Sequence, residues 1–389
     1  MRILQASYII PLNSAPIANG YLYIEDDGTV IHVSKEIPIT DQFEVEVYEG
    51  LICPGFVNTH CHLELSHMKE QMSEGTGLAK FVDEVPKRRQ QEANKSILIE
   101  KADEEMCQAG IVAVGDISNT SESIETKKKS PIQYHSFVEL YGLERDAATH
   151  KMEEGIVLLG EFEKNNLAAS IVPHAPYSVS PDLLQKIYSH NEGSLLSIHH
   201  QETSSENELF IEGQGELAET FLKKGFDLSA HLHFGKSSTE FSLTPYLSPS
   251  QKVLLVHNTY SSAEDIDRVA SHFSDAYWCT CPKANWYIER RLPNYHLWLE
   301  KNLKITVGTD SLASNDTLSI LEELKLIQSK FPAISTNELL SWACKNGAEF
   351  FEFQSLGTFE SGKKPGVLLI EHVEGMTLTK NSKIKVLVN

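Results

Sequence analysis

Between residues 51 and 309 short apolar runs alternate with helical patterns eight times, and few folds accommodate such an order. The strand-like runs are 51–58 "LICPGFVN", 111–115 "IVAVG", 132–139 "IQYHSFVE", 168–173 "AASIVP", 195–199 "LLSIH", 253–257 "VLLVH", 276–280 "AYWCT" and 305–309 "ITVGT". Helical patterns over 90–108, 151–166, 181–190, 263–273 and 317–330 separate them. Eight strands alternating with helices over roughly 300 residues predict an α/β fold of the (β/α)8 TIM-barrel type. A doubly wound open sheet would alternate too, but it would want a glycine-rich phosphate loop after its first strand, and none is present.

The two ends of the chain read differently. Residues 1–53 hold strand-like runs broken at Gly20 and at the Asp26-Asp27-Gly28 turn, and the tail "PGVLLIEHVEGMTLTKNSKIKVLVN" has the same strand-turn-strand character. Neither end is large enough for a comfortable sheet domain alone. The expected organisation is a small β-sandwich domain from 1–53 plus 354–389, beside a barrel of 54–353.

Charge narrows the partners. The chain of 389 residues carries 34 Lys+Arg against 54 Asp+Glu, a formal charge of −20. Such a surface disfavours nucleic acid and anionic lipid and leaves a small-molecule substrate as the expected partner. No apolar run approaches the roughly 20 residues a bilayer span requires, and the N-terminus lacks a signal-peptide pattern. A cytosolic location is expected. The six cysteines are scattered through predicted core segments and read as buried thiols; Cys279-Thr-Cys281 lacks the second pair that a structural zinc site would want.

In a barrel of this kind the active site lies at the C-terminal ends of the strands. Those ends carry His60 and His62, His174, His199 with Glu202, His257, and Asp310. His60 and His62, one residue apart on a strand, point to the same face. Histidines and a carboxylate converging there suit zinc, iron(II) or manganese, which lowers the pKa of bound water toward about 7. Glu202, three residues beyond His199, stands where a carboxyl group moves protons between that water and a substrate. The pattern points to hydrolysis without an organic cofactor. His200 should face away from His199. The second H-x-H, His231 and His233, falls outside the strand-end series and reads as a loop or substrate wall. The acidic run "SSENE" at 204–208 reads as a solvated helix start.

The motifs "PGFVNTHCHLE", "HAPYSVS", "HHQET", "VHN", "CPKANWYI" and "GTDSLASND" together resemble the amidohydrolase superfamily, in its deaminase/chlorohydrolase branch. The resemblance implies that His60, His62, His199 and Asp310 bind one divalent metal ion. It further implies that Glu202 protonates a ring nitrogen, that His257 acts on the water alongside Asp310, and that His174 contacts the substrate. It is compatible with a homodimer. Two-metal members carry a bridging lysine or glutamate at the end of strand 4, where this chain has "SIVPHAP", so one metal is expected. Ala284 stands where the branch commonly has serine in Cys-Pro-x-Ser-Asn. The segment after His62 lacks the Leu-Pro-Leu-x-x-Trp of adenosylhomocysteine and methylthioadenosine deaminases and looks more like the His-Leu-Glu-x-Ser of aminodeoxyfutalosine deaminases.

The expected reaction is hydrolytic deamination of an amino-substituted N-heteroaromatic ring, foremost a 6-aminopurine nucleoside derivative. Trp286, Tyr287, Arg290 and Arg291 would line the pocket mouth, with the arginines either meeting a substrate carboxylate or pairing with acidic neighbours such as Glu289. Cytosine or guanine deamination and triazine dechlorination are alternatives on the same site. A catalytically silent barrel acting as a binding protein is the alternative of another class, and it would want a ligand or Glu202 to be missing.

Overall fold

The computed structural model of the chain describes residues 1–36, 44–89, 94–191, 193–229 and 235–389. His231 and His233 lie outside them, as does the start of the helical pattern at 90–108.

Eight parallel strands form two four-stranded sheets. The first sheet orders β1 (Phe56–Cys61), β2 (Ile111–Ser118), β3 (Gln133–Leu140) and β4 (Ala168–Pro173); the second orders β5 (Leu196–His200), β6 (Val253–His257), β7 (Ala276–Thr280) and β8 (Lys304–Val307). Helices fall between them, among them Lys95–Gln108, Ala148–Lys164, Pro181–His190 and Ala263–His272, and Ile320–Lys330 follows the last strand. Each strand is buried on both faces. Val57, Ala113, Phe137, Val172, Val256 and Cys279 pack into one apolar cluster closed by Phe350 and Phe351. Their neighbours Phe56, Val114, Val138, Ile171, Leu255 and Trp278 join the larger cluster that includes the helices. Two-sided burial is the usual condition of parallel sheets and explains runs such as "VLLVH" that show no alternation.

Backbone bonds also cross between the two sheets. The His199 N–H donates to the His174 carbonyl at 2.9 Å, and the carbonyl of His60 accepts from Thr309 and Asp310 at 3.0 and 3.1 Å. Gly308 permits that second approach, since a Cβ there would lie 2.8 Å from both the Cβ and the carbonyl oxygen of His60.

The run "LICPGFVN" is not one strand. Val45–Cys53 belongs to a seven-stranded sheet, and β1 begins afresh at Phe56. Pro54 has no N–H to continue the ladder, and the Gly55 N–H turns away to the Pro365 carbonyl at 2.9 Å. A Cβ on Gly55 would strike Val112 at 2.4 Å. The seven-stranded sheet gathers both chain ends in the order Lys383–Val388, Val367–Glu371, Val45–Cys53, Arg2–Ile9, Tyr21–Ile24 and Val30–Ser34, with Ile17–Ala18 paired to Arg2–Ile9. Five of the six cysteines are buried and Cys107 is partly so.

Under β1 lies a buried ion pair. Lys127 Nζ sits 2.6 Å from Asp116 Oδ2 with both side chains fully enclosed, and Ser118 and Ser136 accept further bonds from the ammonium. The other Asp116 oxygen accepts the Leu63 N–H at 2.7 Å, which fixes the backbone immediately after His62. Lys127→Met leaves an uncompensated buried carboxylate, so urea unfolding should read a loss of about 3–5 kcal/mol.

Candidate functional site

The strand-end side chains meet at one buried point. His60 Nε2 lies 3.2 Å from His62 Nε2, which lies 3.3 Å from His199 Nε2. Asp310 Oδ1 is 3.3 Å from His62 Nε2 and 3.6 Å from His60 Nε2. A tetrahedral zinc with bonds of about 2.0–2.1 Å would hold its donors about 3.3–3.4 Å apart, so the donor set fits the ion. His257 belongs to the same neighbourhood: the donor atoms of His60, His199, His257 and Asp310 all lie within 4.8 Å of one another. The two groupings share three residues and differ in His62 against His257. Of the two, His62 makes the shorter approaches, while His257 Nε2 faces Glu202 Oε1 at 3.6 Å.

The second ring nitrogens explain why these faces are presented. His199 Nδ1–H donates to the His174 carbonyl at 2.8 Å, and His257 Nδ1–H donates to Asn285 Oδ1 at 2.7 Å. Each bond leaves Nε2 with its lone pair toward the cluster. His200 points the other way, as expected, with its nitrogens 2.9 Å from Asn258 Oδ1 and Thr239 Oγ1. The Ser314 hydroxyl donates to Asp310 Oδ2. Gln201, His257, Asn258 and Asp310 adopt φ of 46, 75, 51 and 56°, a left-handed backbone rarely used by non-glycine residues and concentrated here at strand ends.

Burial governs the protonation states. It pushes the pKa of His62 and His199 well below the ordinary imidazole value and that of His257 down to about 4, so these rings are neutral donors. Burial alone would raise the Asp310 carboxyl, but its pairing with His60, whose pKa it raises in turn, is the largest opposing cause and helps hold that group below the usual carboxylate range. Glu202 goes the other way. Burial, then the charges of Asp310, Glu289 and Glu206, push it well above its ordinary value and favour the protonated, proton-donating form.

His174 stands beside the cluster with Nδ1 at 2.6 Å from Ser178 Oγ and its ring 4.8 Å from that of His199. The expected mouth residues divide. Trp286 and Arg290 line a surface cleft of about 650 Å³ with Lys283, Leu326 and Thr377–Lys380, none of them a cluster residue. Arg290 is paired with Glu74, not with Glu289, and Lys330 lies over the Trp286 ring. Arg291 instead packs 4.4 Å from the ring of Tyr260, three residues beyond His257. Glu289 accepts the Leu78 N–H at 2.8 Å. The run "SSENE" is not a solvated start: on the helix Ser204–Asn207 both Ser205 and Glu206 are buried. Cys279 and Cys281 stand 4.0 Å apart within the inner apolar cluster.

Several polar residues of the site escape a reading of strand ends alone. Glu64 accepts from Arg89, from the Asn119 and Thr120 N–H groups and from the Thr120 hydroxyl, tying the loop after β1 to that after β2. Asp116 and Glu139 sit near the ends of β2 and β3, where an acidic strand-end residue was the available signal. Asn285 and Ser314 lie inside the motifs "CPKANWYI" and "GTDSLASND", but the motifs gave them no role, because an amide or hydroxyl acquires meaning only from the side chain it orients.

The sequence matches the amidohydrolase family over residues 51–387. A Helicobacter pylori protein named adenosine deaminase is 28% identical over 374 residues, covering 90% of this chain and 88% of the relative. An aminodeoxyfutalosine deaminase of Nitratiruptor sp. is 28% identical over 381 residues, covering 94% and 89%. The crystal structure of Helicobacter pylori aminofutalosine deaminase in complex with methylthio-coformycin aligns with a TM-score of 0.81 at 23% identity, over 98% of this chain and 94% of that one.

The donor spacing sets an expectation for metal content. Purified protein should carry a single equivalent of a divalent ion by elemental analysis, and His62→Ala and His199→Ala should each lose most of it while keeping the native circular-dichroism spectrum.

Proposed function

The chain belongs to the amidohydrolase family, and on that footing we propose that it is a metal-dependent aminohydrolase acting on a 6-aminopurine nucleoside derivative such as aminodeoxyfutalosine. Its two parallel sheets are read as one closed (β/α)8 barrel over 54–353, with 1–53 and 354–389 as a β-sandwich domain. The backbone bonds from His199 to His174 and from Thr309 and Asp310 to His60 support closure. His60, His62, His199 and Asp310 would hold one divalent ion, with zinc favoured by a nitrogen-rich donor set and iron(II) or manganese also suited. Bound there, the ion would lower the pKa of coordinated water to about 7.

The carrying observation is Glu202, fully enclosed, kept toward its protonated form and 3.6 Å from His257 Nε2 beside the donor cluster. Glu202 donates its proton to a ring nitrogen of the substrate, which makes the carbon bearing the amino group electrophilic. His257, its Nδ1–H anchored on Asn285, keeps Nε2 free to accept a proton from the attacking water. Asp310 assists through an oxygen held by Ser314. Water adds, the amino group takes a proton and leaves as ammonia, and Glu202 is the group placed to carry that proton. His174 contacts the substrate from the β4 side. A triazine dechlorination would use the same groups, and chloride release in place of ammonia would identify it.

Substrate choice rests on Arg291. Arg290 is engaged by Glu74, whereas Arg291 packs on Tyr260 next to the strand-end face, where a substrate carboxylate would meet it. The named relatives include both adenosine and aminodeoxyfutalosine deaminases, so the arginine separates the two. Among the described residues no helix is long and apolar enough to cross a membrane. The net charge of −20 supports a small-molecule substrate over nucleic acid or anionic lipid, and a cytoplasmic location and a homodimer belong to the same proposal.

Ammonia release across a panel of aminated purines and pyrimidines tests the reaction, and no release from any of them would overturn it. Glu202→Gln should lower kcat by about 10²–10⁴-fold with metal content unchanged. Arg291→Ala should cut kcat/KM roughly ten- to hundredfold on aminodeoxyfutalosine and much less on adenosine, while Arg290→Ala should affect neither. Equal losses on both substrates in Arg291→Ala would rule out the carboxylate contact.

A further inference from the structure

A buried carboxylate stands behind the site and takes no part in the roles given above. Glu139 is the penultimate residue of β3, with its side chain 4% exposed. Its Oε2 accepts from Asn119 Nδ2 at 3.0 Å, and the same amide bonds the Glu139 carbonyl at 3.0 Å. Its Oε1 is enclosed and has no hydrogen-bond donor among the described residues. That oxygen faces His199 Nδ1 at 3.5 Å, and the donor atoms of Glu139, His174 and His199 lie within 4.8 Å of one another. Asn119 is pinned in turn, its Oδ1 accepting from Arg89 at 2.9 Å and its N–H bound to Glu64 at 3.1 Å.

An enclosed carboxylate with a single amide donor is costly unless a positive charge answers it. The Nδ1–H of His199 is aimed first at the His174 carbonyl, 2.8 Å away, and so is not free for Glu139. The charge that would answer Glu139 is therefore on the far side of that ring, at Nε2. We infer that Glu139 is a positioning residue that holds and polarises His199 for the metal ion, with Asn119 fixing the angle of its carboxylate. The inference rests on the metal reading above and deepens it. Carboxylate, imidazole and cation would form a line in which the carboxylate increases the electron density that Nε2 offers and narrows the rotation of the ring. A second ion between Glu139 and His199 does not suit the facing atom, because Nδ1 of His199 already donates to a carbonyl.

The test is zinc affinity of metal-free protein measured against a competing chelator dye, for wild type, Glu139→Gln and Asn119→Ala. Glu139→Gln keeps the shape and removes the charge, and zinc should bind about 10–100-fold more weakly. The melting temperature of the metal-free form should not fall, because the substitution removes a buried charge that nothing answers there, and the visible absorption of the Co²⁺-loaded protein should shift. Asn119→Ala should weaken binding in the same direction. Wild-type affinity in Glu139→Gln overturns the inference while leaving the metal site standing. A wild type that binds no zinc overturns both. Should Glu139→Gln fail to fold, Asn119→Ala decides: wild-type affinity there overturns the role.

Discussion

Three imidazole nitrogens and a carboxylate oxygen whose nearest approaches are 3.2–3.6 Å in a buried pocket are the arrangement on which the rest of this molecule depends. The His62 and His199 rings, kept neutral by burial, turn lone pairs toward one another and gain little unless a cation stands between them. The chain holds them there with the same backbone bonds that tie its two parallel sheets together. His60 lends its carbonyl to Thr309 and Asp310, and His174 lends its carbonyl to His199. Residues that would bind the ion are thus also residues that bring the sheets into contact, so the site and the architecture share one set of hydrogen bonds.

Around this point the carboxylates are sorted by their surroundings more than by their chemistry. Asp310 is surrounded by imidazoles and a hydroxyl, which keep it ionised and able to act as a ligand. Glu202 is enclosed among other acids, which keeps its proton available. Asp116 is neutralised by Lys127 and spends its second oxygen on the backbone after His62. Glu64, accepting one bond from Arg89 and three from Asn119 and Thr120, ties two loops together. Each acid sits near a strand end or in the loop that follows, and each is assigned a different task by the partners that reach it.

Much of the scaffold was legible in order and type. The strands at 168–173, 253–257 and 276–280 match the apolar runs residue for residue, because strands buried on both faces must be apolar throughout and turn residues bound them. "LICPGFVN" misled because a continuous apolar run gives no hint that Pro54 and Gly55 hand the chain from one sheet to another. The burial of Glu206 was equally hidden, since an acidic run next to serines carries the composition of a solvated turn whichever way it folds.

What the sequence by itself determined was the list of chemical groups and the faces they share. The two-residue period of a strand puts His60 and His62 together and turns His200 away from His199, a consequence of backbone geometry that holds within any strand. What only the tertiary structure decided was distance and partnership across the chain. It brought Asp310 within reach of His62, gave His257 to Asn285, engaged Arg290 with Glu74 and left Arg291 on Tyr260, and set Glu139 behind His199. Local periodicity specifies which way a side chain points along one strand. Which residue it meets depends on how strands and loops far apart in sequence are paired, and that is fixed by packing and by backbone hydrogen bonds between them.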